Sequence, residues 1–175
     1  MLNDKSLNNS DTETLKSTYF AGGCFWGVEY YFEKLKGVDS AISGYMGGEL
    51  KNPTYQDICT GRTGHLEVVQ INYDPELVSY ENLAKLFFEI HDPTQENGQG
   101  PDLGSQYLSA IFYENEEEKQ ISLNLIKLLK TKNYNVVTQL IPSNIHPFYK
   151  AEEYHQDYYF VHNKVPYCHS YTKRF

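Results

Sequence analysis

Apolar positions along the chain fall into two periods, and the alternation between them outlines the elements. Ser17 to Phe20 reads as a short strand running into a turn at Gly22-Gly23. Val28, Tyr31, Phe32 and Leu35 then share one face at helical spacing, with Gly37 as the expected stop. A strand is predicted from Val38 to Tyr45, closed by Gly47-Gly48, and residues 49–64 read as a loop. The stretch "HLEVVQINY" alternates with period two and stops at Asp74-Pro75. Ser79 is placed to cap a helix carrying Leu83, Leu86, Phe87 and Ile90, which Asp92-Pro93 should halt. After a second Gly/Pro/Gln-rich loop, a strand is predicted over 106–113. A helix then opens on Glu114, Glu116, Glu117 and Glu118 and closes on Lys127, Lys130 and Lys132, a charge order that suits the helix dipole. A further strand is predicted from Tyr134 to Ile141.

Strands interleaved with helices predict an α/β or α+β two-layer sandwich, a mixed sheet packed against helices. All the glycines lie between Gly22 and Gly104, so tight turns should concentrate there; the irregular, aromatic last third should wrap the domain. At 175 residues one domain is expected, starting near Ser17 behind a polar tail over residues 1–16.

Composition narrows the function. A net charge of −8 without a basic run argues against nucleic acid. No apolar stretch approaches the ~18 residues of a membrane span, and the polar N-terminus lacks a signal-peptide core. Three cysteines without close pairs do not form a disulfide framework, so reduced thiols and a cytoplasmic location are expected. Paired metal-ligand spacing is absent, so no metal site is expected.

The candidate chemistry gathers in "GGCFWG". A cysteine entering a helix from a glycine turn meets free N–H groups and the positive helix end, which favour thiolate. Phe25 and Trp26 follow at the helix start and can wall a pocket beside Cys24. The competing reading is a structural cysteine in an aromatic core. In "HLEVVQINY", alternation puts Glu67 on one face with His65, Val69, Ile71 and Tyr73. A carboxyl held there has a raised pKa and the character of a general acid. It could equally sit at the strand's exposed end or pair with Arg62. A thiolate beside a proton donor suits a sulfoxide, whose sulfur becomes electrophilic once its oxygen is protonated.

The ordered motifs "GGCFWG", "NPTYQDICTGRTGHLEVV", "YDP", "HDPTQENGQGPDLGSQY", "HPFYKAEEYHQDY" and "YC" make the chain resemble the A-type peptide methionine sulfoxide reductases from about Tyr19 to Cys168. The resemblance implies an α/β two-layer sandwich around a mixed sheet. It implies that Cys24 is the nucleophile, that Phe25 and Trp26 form the methyl pocket, and that Glu67 protonates the sulfoxide oxygen. Tyr55 and Tyr107 would hold that oxygen, and Asp102 the substrate backbone. The implied reaction reduces the S-sulfoxide of methionine, free or in proteins. It leaves a Cys24 sulfenic acid that a second thiol converts to a disulfide, which thioredoxin or another external dithiol reduces. No metal or organic cofactor is implied, and the chain is expected to act as a monomer.

Cys168, following Tyr167, is the expected resolving thiol, carried on a mobile tail. Such tails in the family tend to be rich in glycine and often hold two cysteines; this one has no glycine and one cysteine. Pro101 and Leu108 stand where the family usually has asparagine and arginine. Cys59 reads as a small packing residue, and His155 stays outside the catalytic set. Two rival classes are a cysteine hydrolase drawing on His65, His91 or His155, and a tyrosine-rich binding module with an exposed Trp26.

Overall fold

A computed structural model of the protein describes residues 14–175; residues 1–13, and with them most of the expected tail, lie outside the described residues. Among the described residues eight strands form: β1 (Lys16–Gly22), β2 (Val38–Met46), β3 (Leu66–Tyr73), β4 (Gly98–Gln99), β5 (Asp102–Leu103), β6 (Ser109–Tyr113), β7 (Gln139–Pro142) and β8 (Tyr149–Lys150). The helices are α1 (Phe25–Glu33), α2 (Tyr55–Cys59), α3 (Tyr80–Ile90), α4 (Glu116–Thr131) and α5 (Tyr158–Val161).

Six strands make one sheet in the order β7-β6-β1-β3-β2-β8. All its neighbours are antiparallel except β6 and β7, so the sheet is mixed as expected. The period-two pattern of β3 divides the core. Val69, Ile71 and Tyr73 face the layer of α1, α3 and α4, where Phe20, Phe32, Leu83 and Phe87 are fully buried. Leu66 and Val68 point to the opposite face and pack with Ala21, Met46, Ala110 and Phe112, under a half-buried Phe148.

Ser79 caps α3 by accepting from the Asn82 N–H at 3.1 Å, as its position predicts. Four expectations change. The loop over 49–64 contains α2. Thr54 Oγ1 accepts from Asp57 N at 3.2 Å while Asp57 Oδ2 accepts from Thr54 N at 2.8 Å, a reciprocal cap that nucleates a short helix. Helix α1 ends at Glu33, before Gly37, because the Leu35 N–H turns back to the Phe32 carbonyl at 3.0 Å. The strand predicted over 106–113 is β6 alone; Ser105–Tyr107 forms a tight 3₁₀ turn instead. The strand predicted over 134–141 shrinks to β7, since the Val137 N–H is taken by the Pro93 carbonyl at 2.8 Å.

Candidate active site

Strand β1 delivers its last residue, Gly22, in register with Ser109 of β6, and the chain leaves the sheet there. Gly23 follows with φ +93°, and a Cβ on it would stand 2.4 Å from the Gln99 side chain. Both facts demand glycine. Cys24 is therefore set at the N-cap of α1, where the Trp26 N–H approaches its sulfur.

Opposite it, β3 presents Glu67, 2% exposed, on the helix-facing side that the alternation indicated. Its Oε1 accepts from the Phe25 N–H at 3.2 Å. Arg62 is exposed, and the ion pairs of the described residues are Glu81–Lys85 and Glu153–Lys150, so the Arg62 pairing does not occur. Burial, reinforced by Cys24, pushes the Glu67 carboxyl well above the usual range, and the Phe25 N–H only partly opposes this. Glu67 is thus a neutral acid, able to donate.

Cys24, Phe25, Trp26, Tyr55, Glu67, Asp102, Tyr107 and Tyr167 line one cavity of about 130 Å³. Tyr55 comes from the first turn of α2, and Tyr107 from the 3₁₀ turn before β6. Burial raises the pKa of both phenols, for Tyr55 together with a hydrogen bond to Cys59 and for Tyr107 together with Glu67, so each hydroxyl keeps its proton. Asp102 accepts from the Tyr167 hydroxyl at 3.5 Å through Oδ1, while its buried Oδ2 has no partner. Phe25 is 1% exposed, and Trp26 lies flat on Tyr158 with ring centroids 3.6 Å apart.

Cys168, the resolving candidate, is also at this place. The Cys24 and Cys168 sulfurs and an Asp102 oxygen lie within 4.8 Å of one another. These three atoms are the ones at the cavity that a metal ion could take.

Three expectations fail. Cys24 is not held as a thiolate: the hydrogen bond with Cys168 and burial raise its pKa far more than the Trp26 N–H lowers it. The segment carrying Cys168 is not loosely packed. The Thr172 N–H donates to the Glu89 carbonyl at 2.7 Å, and Tyr171 Oη and Arg174 N donate to Glu89 Oε2 at 3.1 and 3.0 Å. Cys59 is exposed at the end of α2, whose buried residue is Ile58.

The sequence pattern leaves out His155, which is 1% exposed, accepts from Trp26 Nε1 at 3.0 Å and packs at a tilt against Phe25 and Tyr55. Its place in the "EEYHQDY" motif was the available signal. In the sequence Tyr167 stands out only as the neighbour of Cys168. The hydrolase reading loses its base: no hydrogen bond among the described residues joins His65, His91 or His155 to Cys24. His65 binds Gly48 N and the Leu50 carbonyl, and His91 binds the Phe87 carbonyl and Ser109.

A cysteine, a neutral carboxylic acid and two protonated phenols around a small aromatic cavity, with a second thiol in reach, define a thiol-dependent oxidoreductase. The family model described as "Peptide methionine sulfoxide reductase" matches residues 16–175, and the chain belongs to that family. Its relatives include "Peptide methionine sulfoxide reductase MsrA" of Sulfolobus acidocaldarius, 52% identical over 84% of this chain and 83% of that one. The protein of the same name from Nautilia profundicola is 50% identical over 85% of each. Among solved structures, reduced Mxr1 from Saccharomyces cerevisiae superposes with a TM-score of 0.83 at 32% identity, covering 94% of this chain and 95% of that one. The chain is an oxidoreductase that reduces methionine sulfoxide in peptides. No helix among the described residues is long and apolar enough to cross a membrane.

Proposed function

We propose that the protein reduces the S epimer of methionine sulfoxide, free or in oxidised proteins, with Cys24 as nucleophile, Glu67 as proton donor and Cys168 as resolving thiol. The observation that carries this reading is that Cys24 and a buried, protonated Glu67 open into the same cavity, walled by Phe25 and Trp26.

The S-methyl group sits against the Phe25 and Trp26 rings, and the sulfoxide oxygen points to Glu67 and the Tyr55 and Tyr107 hydroxyls. Asp102 Oδ2, buried and unpartnered, accepts from the substrate backbone. Because the resting Cys24 thiol is protonated, its ionisation is coupled to substrate arrival. As Cys24 sulfur bonds to the sulfoxide sulfur, Glu67 transfers its proton to the oxygen, and the thiol proton restores the acid. Hydrogen-bonded donors aimed at a developing charge in a dry site are the strongest contribution such a cavity can make. Collapse releases methionine and leaves Cys24 as the sulfenic acid. The Cys168 thiol then displaces its oxygen as water, giving a disulfide that thioredoxin reduces by exchange. Metals and organic cofactors have no part in this chemistry, so a chelator leaves turnover unchanged. The protein works as a monomer in the cytoplasm, repairing oxidised proteins.

Separated S and R sulfoxide epimers, offered with thioredoxin and in parallel with dithiothreitol, test the proposal. Only the S epimer should be consumed, with one dithiol oxidised per methionine. Equal consumption of the R epimer, or product without oxidised dithiol, overturns it.

A further inference from the structure

His169 immediately follows the resolving cysteine, and its surroundings settle what its ring can do. The imidazole is 4% exposed and lies against the first turn of α1. Gly27 makes room for it: a Cβ at that position would stand 2.2 Å from His169 Nδ1. On one side, Nε2 is 2.6 Å from the Gly22 carbonyl oxygen. A carbonyl can only accept, so Nε2 carries the hydrogen. On the other side, Nδ1 is 3.2 Å from Cys168 Sγ. In the neutral ring that nitrogen is a bare lone pair. Burial disfavours the imidazolium, although the Gly22 carbonyl and Asp102 pull the other way. Cys168 Sγ in turn lies within 4.8 Å of Cys24 Sγ. Cys24, Cys168 and His169 are therefore neighbours, with a tautomer-locked base beside the Cys168 thiol.

We infer that His169 is the catalytic base of the recycling step, accepting the Cys168 proton as that thiol attacks the Cys24 sulfenic acid. This rests on the reading of Cys168 as the resolving thiol. Cys168 S–H gives its proton to His169 Nδ1, and the thiolate sulfur bonds to the Cys24 sulfur. The Cys24 S–O bond breaks, and the departing hydroxide takes a proton back from the imidazolium to leave as water. One sulfur is oxidised and the other reduced, so no outside oxidant or reductant enters. The Gly22 carbonyl matters twice: it fixes the tautomer, and it supports the imidazolium while the proton is there.

The simpler role, a histidine that only seats the C-terminal segment through Gly22, is separable by His169→Gln. The glutamine amide keeps an N–H donor for the Gly22 carbonyl and carries no basic nitrogen toward Cys168. Fully reduced enzyme is mixed with one equivalent of methionine sulfoxide and quenched with dimedone over time. Mass spectrometry then counts trapped Cys24 sulfenic acid against Cys24–Cys168 disulfide. Removing a general base should slow disulfide formation about 10²-fold, with sulfenic acid accumulating. Disulfide formation within about threefold of the wild-type rate, well below a general-base effect, would overturn the proposal. If wild-type enzyme itself yields no Cys24–Cys168 disulfide, the resolving role of Cys168 fails first and takes this one with it. Should the glutamine variant not fold, ¹⁵N-detected NMR of reduced wild-type enzyme decides: the Nε2–H tautomer of His169 is required, and an Nδ1–H ring refutes the base.

Discussion

The Gly22–Cys24 turn and the C-terminal segment after Pro142 bring two thiols to one place by different means. Cys24 belongs to the regular part of the fold. Strand pairing at Gly22 fixes where the turn starts, and Phe25, fully inside the core, fixes how α1 leaves it. The segment that carries Cys168 has only β8, 3₁₀ turns at Ser143–Ile145 and Glu153–His155, and the single turn of α5. It is held by separate latches. Gln156 bonds both the N–H and the carbonyl of Ser43, Glu29 Oε1 accepts from Asp157 N at 2.6 Å, and Glu89 holds Tyr171 and Arg174. Between the latches, Val161, Val165 and Tyr167 are 72%, 73% and 68% exposed. The attacking thiol is thus placed by the sheet and helix core, whereas the resolving thiol is placed by a few discrete contacts. Chemistry on the substrate and recycling of the enzyme are therefore open to separate perturbation.

The most severe test of that division is Cys24→Ser, which should abolish sulfoxide reduction altogether; any measurable turnover removes Cys24 from its role. Cys168→Ser should leave one stoichiometric methionine per enzyme and end thioredoxin-supported cycling. Undiminished steady-state activity would mean the C-terminal segment is not the recycling arm. Glu67→Gln removes the proton donor while keeping the shape of the cavity. Methionine release, followed by rapid quench, should slow by about 10²–10⁴-fold. Wild-type release should also decline as pH rises through the elevated Glu67 pKa, and the variant should lose that decline.

The latches predict smaller effects. Glu89→Ala strips the acceptor from Tyr171 and Arg174 and should cost roughly 1–3 kcal/mol in a denaturant titration. It should also slow formation of the Cys24–Cys168 disulfide while the first methionine is released normally; a variant slowed in both steps would show the two regions to be coupled. Glu29, 1% exposed, hydrogen-bonded by Ser43 and pushed by burial from 4.5 to about 8, acts on the pH dependence of stability and not on catalysis. Between those values the folded chain holds a proton that the unfolded chain has lost. Its contribution to stability is complete below about 4.5 and declines as pH rises through about 8, by up to ~1.4 kcal/mol per pH unit. Glu29→Gln should flatten that slope in melts recorded across the window.

Glu67 illustrates what a sequence can carry. Alternation in "HLEVVQINY" placed it on the face of Val69 and Ile71, and that face proved to be buried under the helices. The charge order of α4 and the Ser79 cap of α3 were equally legible, because each depends on residues within a turn or two of one another. The reciprocal Thr54–Asp57 cap of α2 was legible in principle and passed over inside a loop dense in turn residues. The glycines of "GGCFWG" had two meanings, one local and one not. Gly23 answers to its own backbone as well as to Gln99, Gly27 to a histidine from the far end of the chain.

Local pattern, then, determined the order of the longer strands and helices, the buried face of β3, and the cluster of residues fit for thiol chemistry. Tertiary structure alone decided that Cys24 rests protonated, that the C-terminal segment is docked, and that His169 stands behind Cys168. Periodicity records which side of an element avoids water. A proton's affinity for a sulfur is set instead by whatever the fold brings within a few ångströms, however distant in the chain.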